Sequence, residues 1–160
     1  MKILLEKEPV KRVKEALIKF NSSLTVIVLN NTARTAKDAA YSLNCEVGAI
    51  VKSLLIKADE SFLICLVAGD KRCSLNKLKK ILNKENISMA SANEVKINTG
   101  FSIGGVSPLG HAKKLDTLID VSINRFKDIF AAAGHPNCVF KTNYKDLIKM
   151  TDASEKEISE

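Results

Sequence analysis

Two runs, Ile50–Ala58 and Phe62–Ala68, are nearly continuous in apolar residues and are separated only by Asp59-Glu60-Ser61. Apolar runs of this length, bounded by turn residues, predict two strands joined as a hairpin. A strand that is apolar on both faces has to be covered on both faces. The rest of the chain is therefore expected to bury this hairpin on both faces. In the stretch from Gly48 to Ile56 a single lysine, Lys52, interrupts the apolar pattern. One reading places its stem along a strand edge with the ammonium in water. The other aims the ammonium into a polar cleft, as a partner for phosphate or carbonyl oxygen. The pattern alone leaves both open.

The covering layers are visible in the remaining periodicities. Val10, Val13, Leu17 and Phe20 recur at helical spacing over residues 9–20. Leu24–Leu29 is a β-branched run that predicts a strand. Thr35 is placed to cap a helix with Ala36, Ala39, Ala40 and Leu43 inward, ended by Gly48. Ser74 is placed to cap a basic helix through Leu82, with Leu75, Leu78 and Leu82 as its inner stripe. A short helix over Ser91–Asn98, strands at Leu118–Val121, Ile129–Ala133 and Cys138–Lys141, and a closing helix over Asn143–Met150 complete the pattern. Strands and helices are interspersed and two hairpins recur, so the fold class is α/β (α+β), one domain on a mixed sheet. The length of 160 residues suits one core. No window reaches the length of a membrane span, and charge interrupts the first eight residues too early for a secretion signal, so the cytoplasm is the expected location.

Charge and cysteine content narrow the function classes. The net charge is +7. Four acids against one lysine in the last ten residues leave the first 150 residues at +10. That asymmetry suits a polyanionic partner, with 152–160 as an acidic, flexible tail. Basic residues crowd at Lys71-Arg72, at Lys77, Lys79, Lys80 and Lys84, and at Lys113-Lys114. The four cysteines show no C-x-x-C spacing, so no disulfide framework is expected, and Cys65 and Cys138 read as buried, inert thiols. With only His111 and His135 available, no metal site is expected.

The segment Thr99–His111 holds four of the seven glycines together with Pro108. Such a loop is irregular, rigid and rich in approachable peptide N–H groups, which suits a site wall. Familiar motifs fail within it. Gly100 and Gly105 have phosphate-loop spacing, but Val106 stands where a lysine is required. Gly105-Val106-Ser107-Pro108-Leu109 lacks the second glycine of a nucleophile elbow. Ser107, His111 and Asp120 supply the residue types of a hydrolytic triad, but closeness in sequence is not geometry.

Five segments taken in order carry a resemblance: Thr35-Ala36, Ile50-Val51-Lys52-Ser53-Leu54, Ala68-Gly69-Asp70-Lys71-Arg72, Thr99-Gly100-Phe101 through Gly104-Gly105-Val106-Ser107-Pro108, and Ala133-Gly134. Over residues 9–151 the chain resembles the YbaK/EbsC family of free-standing aminoacyl-tRNA deacylases. That family is similar to the editing domain inserted in bacterial prolyl-tRNA synthetases. The resemblance implies a single editing domain over 1–151, with a mixed, curved sheet and flanking helices, that hydrolyses the ester of a mischarged tRNA. Cysteine or alanine on tRNA-Pro are the substrates it suggests. It implies neither metal nor other cofactor, and no covalent intermediate. The implied partners are the aminoacylated 3′ end of tRNA and a synthetase, with no DNA and no membrane. Lys52 matches the family's central lysine, and Gly104 and Pro108 match its Gly-x-x-x-Pro loop, so Lys52, Gly104 and Gly105 are the expected catalytic set. Thr35, Ser53, Phe101, Ser107, Pro108, Asp120 and Gly134 are expected to bind substrate. Some relatives use a histidine late in the chain, and here either His135 or Cys138 falls near that place. A non-catalytic tRNA-binding module of the same fold is the alternative function.

Overall fold

The computed structural model describes residues 2–31 and 34–160. In chain order its elements are α1 (Lys2–Leu5), α2 (Glu8–Phe20), β1 (Ile27–Val28), α3 (Ala36–Leu43), β2 (Ile50–Ala58), β3 (Ser61–Ala68), α4 (Leu75–Leu82), β4 (Ile87–Met89), α5 (Ala92–Thr99), β5 (Asp116–Asp120), β6 (Ile129–His135), β7 (Cys138–Thr142), α6 (Tyr144–Thr151) and β8 (Ser154–Lys156). Four helices start where a capping side chain dictates. Thr35, Ser74, Ser91 and Asn143 each accept a hydrogen bond from the backbone N–H three residues on, and Ser91 forms a full capping box with Glu94. Each such cap contributes on the order of 1 kcal/mol. No helix among the described residues is long and apolar enough to cross a membrane.

The strands form one mixed, curved sheet in the order β1-β7-β6-β2-β3-β5-β8, with β4 also paired to β2. The central hairpin is antiparallel from Val51↔Ala68 to Ala58↔Ser61. Parallel pairings flank it, β2 with β6 and β3 with β5. Both faces are covered, as the apolar hairpin requires. Val51, Leu55, Ile64 and Leu66 pack with Val10, Val13 and Leu17 of α2 on one face. Ile56, Cys65 and Val67 pack with Leu78 of α4 on the other, where Ala39 and Ala40 of α3 also cover Ile50.

The structure departs from the sequence expectations at several points. Only Ile27–Val28 of the run Leu24–Leu29 pairs as a strand, against β7. The third helix ends on Asn44, which takes the left-handed conformation, before Gly48 is reached. Most substantially, residues 152–160 are not a flexible tail. β8 pairs in parallel with β5, Ile158 is fully buried, and Arg72 and Glu160 exchange backbone hydrogen bonds. The cause is Asp120. Its buried carboxylate accepts from the backbone N–H of Ile158 and Ser159 at 2.8 and 3.0 Å and from Ser159 Oγ at 2.8 Å. The acidic residues of the segment are exposed, with Glu155 accepting from the Tyr144 hydroxyl and Glu157 paired with Lys77, while its backbone is fastened to the sheet.

Candidate functional site

β2 has two partners on one edge and they do not meet. β6 takes Ile50 and Val51, and β4 takes Ile56 to Ala58. The hairpin register decides which peptide groups face the interval. Gly69 N–H donates to Ile50 O, so the even-numbered residues of β2 direct their peptide groups at β3. Val51, Ser53 and Leu55 direct theirs to the other edge. Val51 is taken by β6, and Leu55 O accepts from Ala90 N–H at 3.0 Å. Ser53 lies between, with its N–H and C=O facing a gap in the sheet. Its buried Oγ has no hydrogen-bond partner among the described residues.

A mainly apolar cleft of about 400 Å³ opens at this gap. Its walls are Phe130, Ala131 and Ala132 of β6 on one side, and Met89 and Ala90 on the other. The first turn of α3, with Arg34 and Thr35, closes one face, and Ile103, Gly104 and Val106 close the opposite face. The Thr35 hydroxyl is held by its capping bond from Asp38 N–H at 3.1 Å. The start of α3 therefore brings the positive end of a helix to the cleft mouth.

Side-chain alternation along β2 puts Lys52 and Leu54 on the α3–α4 face, and Val51, Ser53 and Leu55 on the α5 face. Lys52 and the glycine loop thus border one cleft from opposite faces of the sheet. The Lys52 ammonium is neither free in water nor seated on the loop. It donates to Lys71 O at 2.5 Å, beyond the end of the hairpin. Burial lowers its pKa, opposed by the nearby Cys73 and Asp70.

Of the other residues singled out in the sequence, Thr35, Ser53 and Gly104 line the cleft with Lys52. Gly104 has φ +95°, while a Cβ there would meet only Pro136 Cγ at 3.5 Å, so conformation rather than space demands glycine. Gly105 lies elsewhere: its N–H donates to Ser102 O at 2.9 Å, and an added Cβ would come within 2.9 Å of the His135 backbone. It lets the loop press on the β6–β7 turn. Phe101 is in the core, with the Arg12 guanidinium 4.5 Å above its ring. Ser107 and Pro108 are buried, and Ser107 Oγ accepts from Leu109 N–H at 3.3 Å. Gly134, at φ +92°, allows α2 to approach through Pro9. Asp120 serves the C-terminal segment.

No triad is assembled. His111 Nε2 donates to the carbonyl of Ser107 at 2.7 Å, not to its hydroxyl, and Asp120 is occupied by Ser122, Ile158 and Ser159. Burial lowers the His111 pKa. His135 lines a separate hollow with Gly105 and Gly134, and Cys138 is buried in the core, so neither borders the cleft. Among the described residues no three His, Cys, Asp or Glu side chains gather as a metal site. The sequence reading missed Arg34, Met89, Ile103 and the β6 wall. Three consecutive alanines, Ala131-Ala132-Ala133, were the available signal for the wall, because small side chains leave room beside a strand edge.

Comparison with known proteins follows the same lines. The model of the aminoacyl-tRNA editing domain matches residues 30–150. The chain is similar to the uncharacterized protein YwhH of Bacillus subtilis (strain 168), 30% identical over 138 residues, which is 86% of this chain and 87% of that protein. It is also similar to the proline–tRNA ligase of Bacillus velezensis, 27% identical over 154 residues. That match covers 96% of this chain but only 25% of the ligase. Among solved structures, a candidate trans-editing enzyme for prolyl tRNA synthetase superimposes with a TM-score of 0.90 at 34% identity, covering 96% of this chain and 98% of the other.

Proposed function

Because the chain belongs to the aminoacyl-tRNA editing domain family, we propose that it is a trans-editing aminoacyl-tRNA deacylase. It hydrolyses the ester between a wrongly attached amino acid and the terminal ribose of a tRNA, with cysteine or alanine on tRNA-Pro as substrates. The observation that carries this reading is the gap beside Ser53, where a strand edge unpaired among the described residues meets Lys52, Arg34 and the start of α3 within one cleft.

An aminoacyl ester is already activated, so the protein has three tasks: to hold the ester, to place a water, and to stabilise the developing oxyanion. The N–H of Ser53 and the peptide of Gly104 supply donors for that oxyanion, and loss of one such donor typically costs about 10²–10³ in rate. Lys52, Arg34 and the α3 N-terminus hold the terminal phosphate and ribose. The neighbouring ribose hydroxyl positions the attacking water. The apolar walls admit a small side chain, and each methylene is worth about 1–3 kcal/mol of discrimination. The basic body attracts the tRNA backbone through its phosphates.

The test is a panel of mischarged tRNAs assayed for release of the amino acid, run beside a tRNA ending in the deoxy sugar. The reading expects rapid release from the ribose substrate and poor release from the deoxy one. Equal rates on the two would rule out the ribose-assisted step. Tight binding of every tRNA without release would identify a non-catalytic binding module instead.

A further inference from the structure

Arg12 lies in the second turn of α2, does not line the cleft, and takes no part in the mechanism above. Its guanidinium is directed at the glycine loop. Nε donates to Gly110 O at 2.6 Å and Nη2 to Thr99 O at 3.2 Å. Those two carbonyls stand at opposite ends of the loop 100–110, whose middle supplies Ile103, Gly104 and Val106 to the cleft. Nη1 donates to both carboxylate oxygens of Glu8, at 2.9 and 3.0 Å, which fixes the plane of the group. The guanidinium carbon sits 4.5 Å from the centre of the Phe101 ring. Phe101 in turn meets His111 edge-on at 6.1 Å between centres, and His111 holds Ser107 O. One side chain thus reaches both ends of the loop and, through two rings, its far limb.

The surroundings are shaped for a guanidinium. A Cβ on Gly100 would come within 2.5 Å of Nη2, so glycine there leaves the group its place. A lysine head is a compact point charge and cannot span two separated carbonyls as a planar fork does. The loop is also closed without Arg12. Ala112 N–H donates to Thr99 O at 2.9 Å, and Lys113 N–H donates to Asn98 O at 3.1 Å. These bonds join the two limbs to each other but do not tie them to α2. Arg12 makes that tie.

We propose that Arg12 is a positioning residue for ester hydrolysis: by clamping Thr99 O and Gly110 O onto α2 it sets where the Gly104 peptide stands in the cleft. Its effect on the reaction rests on the function proposed above, whereas the clamp on the loop does not. Arg12 acts only through the loop and touches no reacting atom. A shift of about 1 Å in a group that must align with the ester costs on the order of 100-fold in rate. Lys52, Arg34 and the start of α3 border the cleft from the opposite face of the sheet and are independent of the clamp. Loss of Arg12 therefore falls on kcat and spares KM.

The experiment compares the full-length protein with Arg12→Lys, Arg12→Gln and Glu8→Gln. Release of alanine from alanyl-tRNA-Pro gives kcat and KM, and hydrogen exchange read by mass follows the loop. Arg12→Lys keeps the charge and an apolar stem over Phe101, so it tests the fork in a folded protein. In both Arg12 variants kcat should fall ~10- to 100-fold while KM moves less than ~3-fold. Amides of 101–109 should exchange faster while those of β2 and β3 keep their protection. Glu8→Gln, which loses the ion pair but keeps both loop bonds, should stay within ~2-fold of wild type. Wild-type kcat in Arg12→Lys, a rise in KM alone, unchanged exchange at 101–109, or an equal loss in Glu8→Gln would each overturn the assignment. So would a loss of kcat accompanied by faster exchange throughout the sheet, which marks a merely structural residue. A wild-type protein that releases no amino acid speaks against the proposed function, and the exchange of 101–109 then decides the clamp by itself.

Discussion

Replacing Asp120 separates a structural carboxylate from a substrate-binding one. Its oxygens accept from the N–H of Ile158 and Ser159, from Ser159 Oγ, and from the N–H and Oγ of Ser122. Asp120→Ala leaves at least the two buried N–H groups at 158 and 159 without acceptors, at about 1–3 kcal/mol each. The expected loss is about 4 kcal/mol, a large share of the ~5–15 kcal/mol typical of a domain. At ~2–4 °C per kcal/mol for a chain of this size, the Tm falls by roughly 8–16 °C. Asp120→Asn keeps one acceptor oxygen and loses about half as much. Urea unfolding followed by circular dichroism measures the change, and hydrogen exchange should show residues 154–160 released first. The pH dependence has a definite sign. Burial pushes the Asp120 pKa up, but the hydrogen bonds from Ser122, Ile158 and Ser159 outweigh it, and the folded value lies below the ordinary 3.8. Its contribution is complete above the ordinary value and is lost as pH falls through the folded one. A Tm within ~2 °C of wild type, together with lost deacylation, would refute the clip and return Asp120 to the substrate.

Lys52→Ala removes one hydrogen bond to Lys71 O from a half-buried site, so stability changes by only about 1 kcal/mol, while ester release falls at least ~10-fold; near-normal turnover in a discontinuous release assay would show that this lysine does not serve the cleft. The burial that depresses the His111 pKa makes the protonated form favour unfolding. The urea midpoint should fall as pH drops below the ordinary 6.5 toward the folded value, and His111→Gln should reduce that slope. tRNA binding should weaken by ~10-fold or more between ~50 and ~200 mM salt, read by filter binding or anisotropy; salt-insensitive binding would exclude the basic body as the tRNA surface.

Much of this fold was legible because side chains encode it locally. The apolar runs of β2 and β3, the helical spacing of α2, and the capping residues Thr35, Ser74, Ser91 and Asn143 each act within a few residues. β4 and β8 were not legible, since three residues carry no period and their partners lie far along the chain. Charge misdirected the reading of 152–160. Ile158 was the one large apolar residue there, and the partner that fastens the segment is Asp120, 38 residues away. At the site, the residue types of Lys52 and Gly104 were informative. The gap itself was not, because an unpaired stretch of strand is written in no residue and exists only where β6 ends its pairing before β4 begins. The split between Gly104 at the cleft and Gly105 against His135 is likewise a matter of loop geometry.

The central claim is that hydrolysis takes place in the gap along the β2 edge between β6 and β4. Ala132 lines it from a half-buried position in β6. Ala132→Phe fills the cleft from its wall and leaves the strand pairings in place. Single-turnover release of amino acid from a mischarged tRNA-Pro should fall by ~100-fold or more, with a Tm within ~4 °C of wild type. Release at the wild-type rate from the plugged, folded protein would contradict the claim.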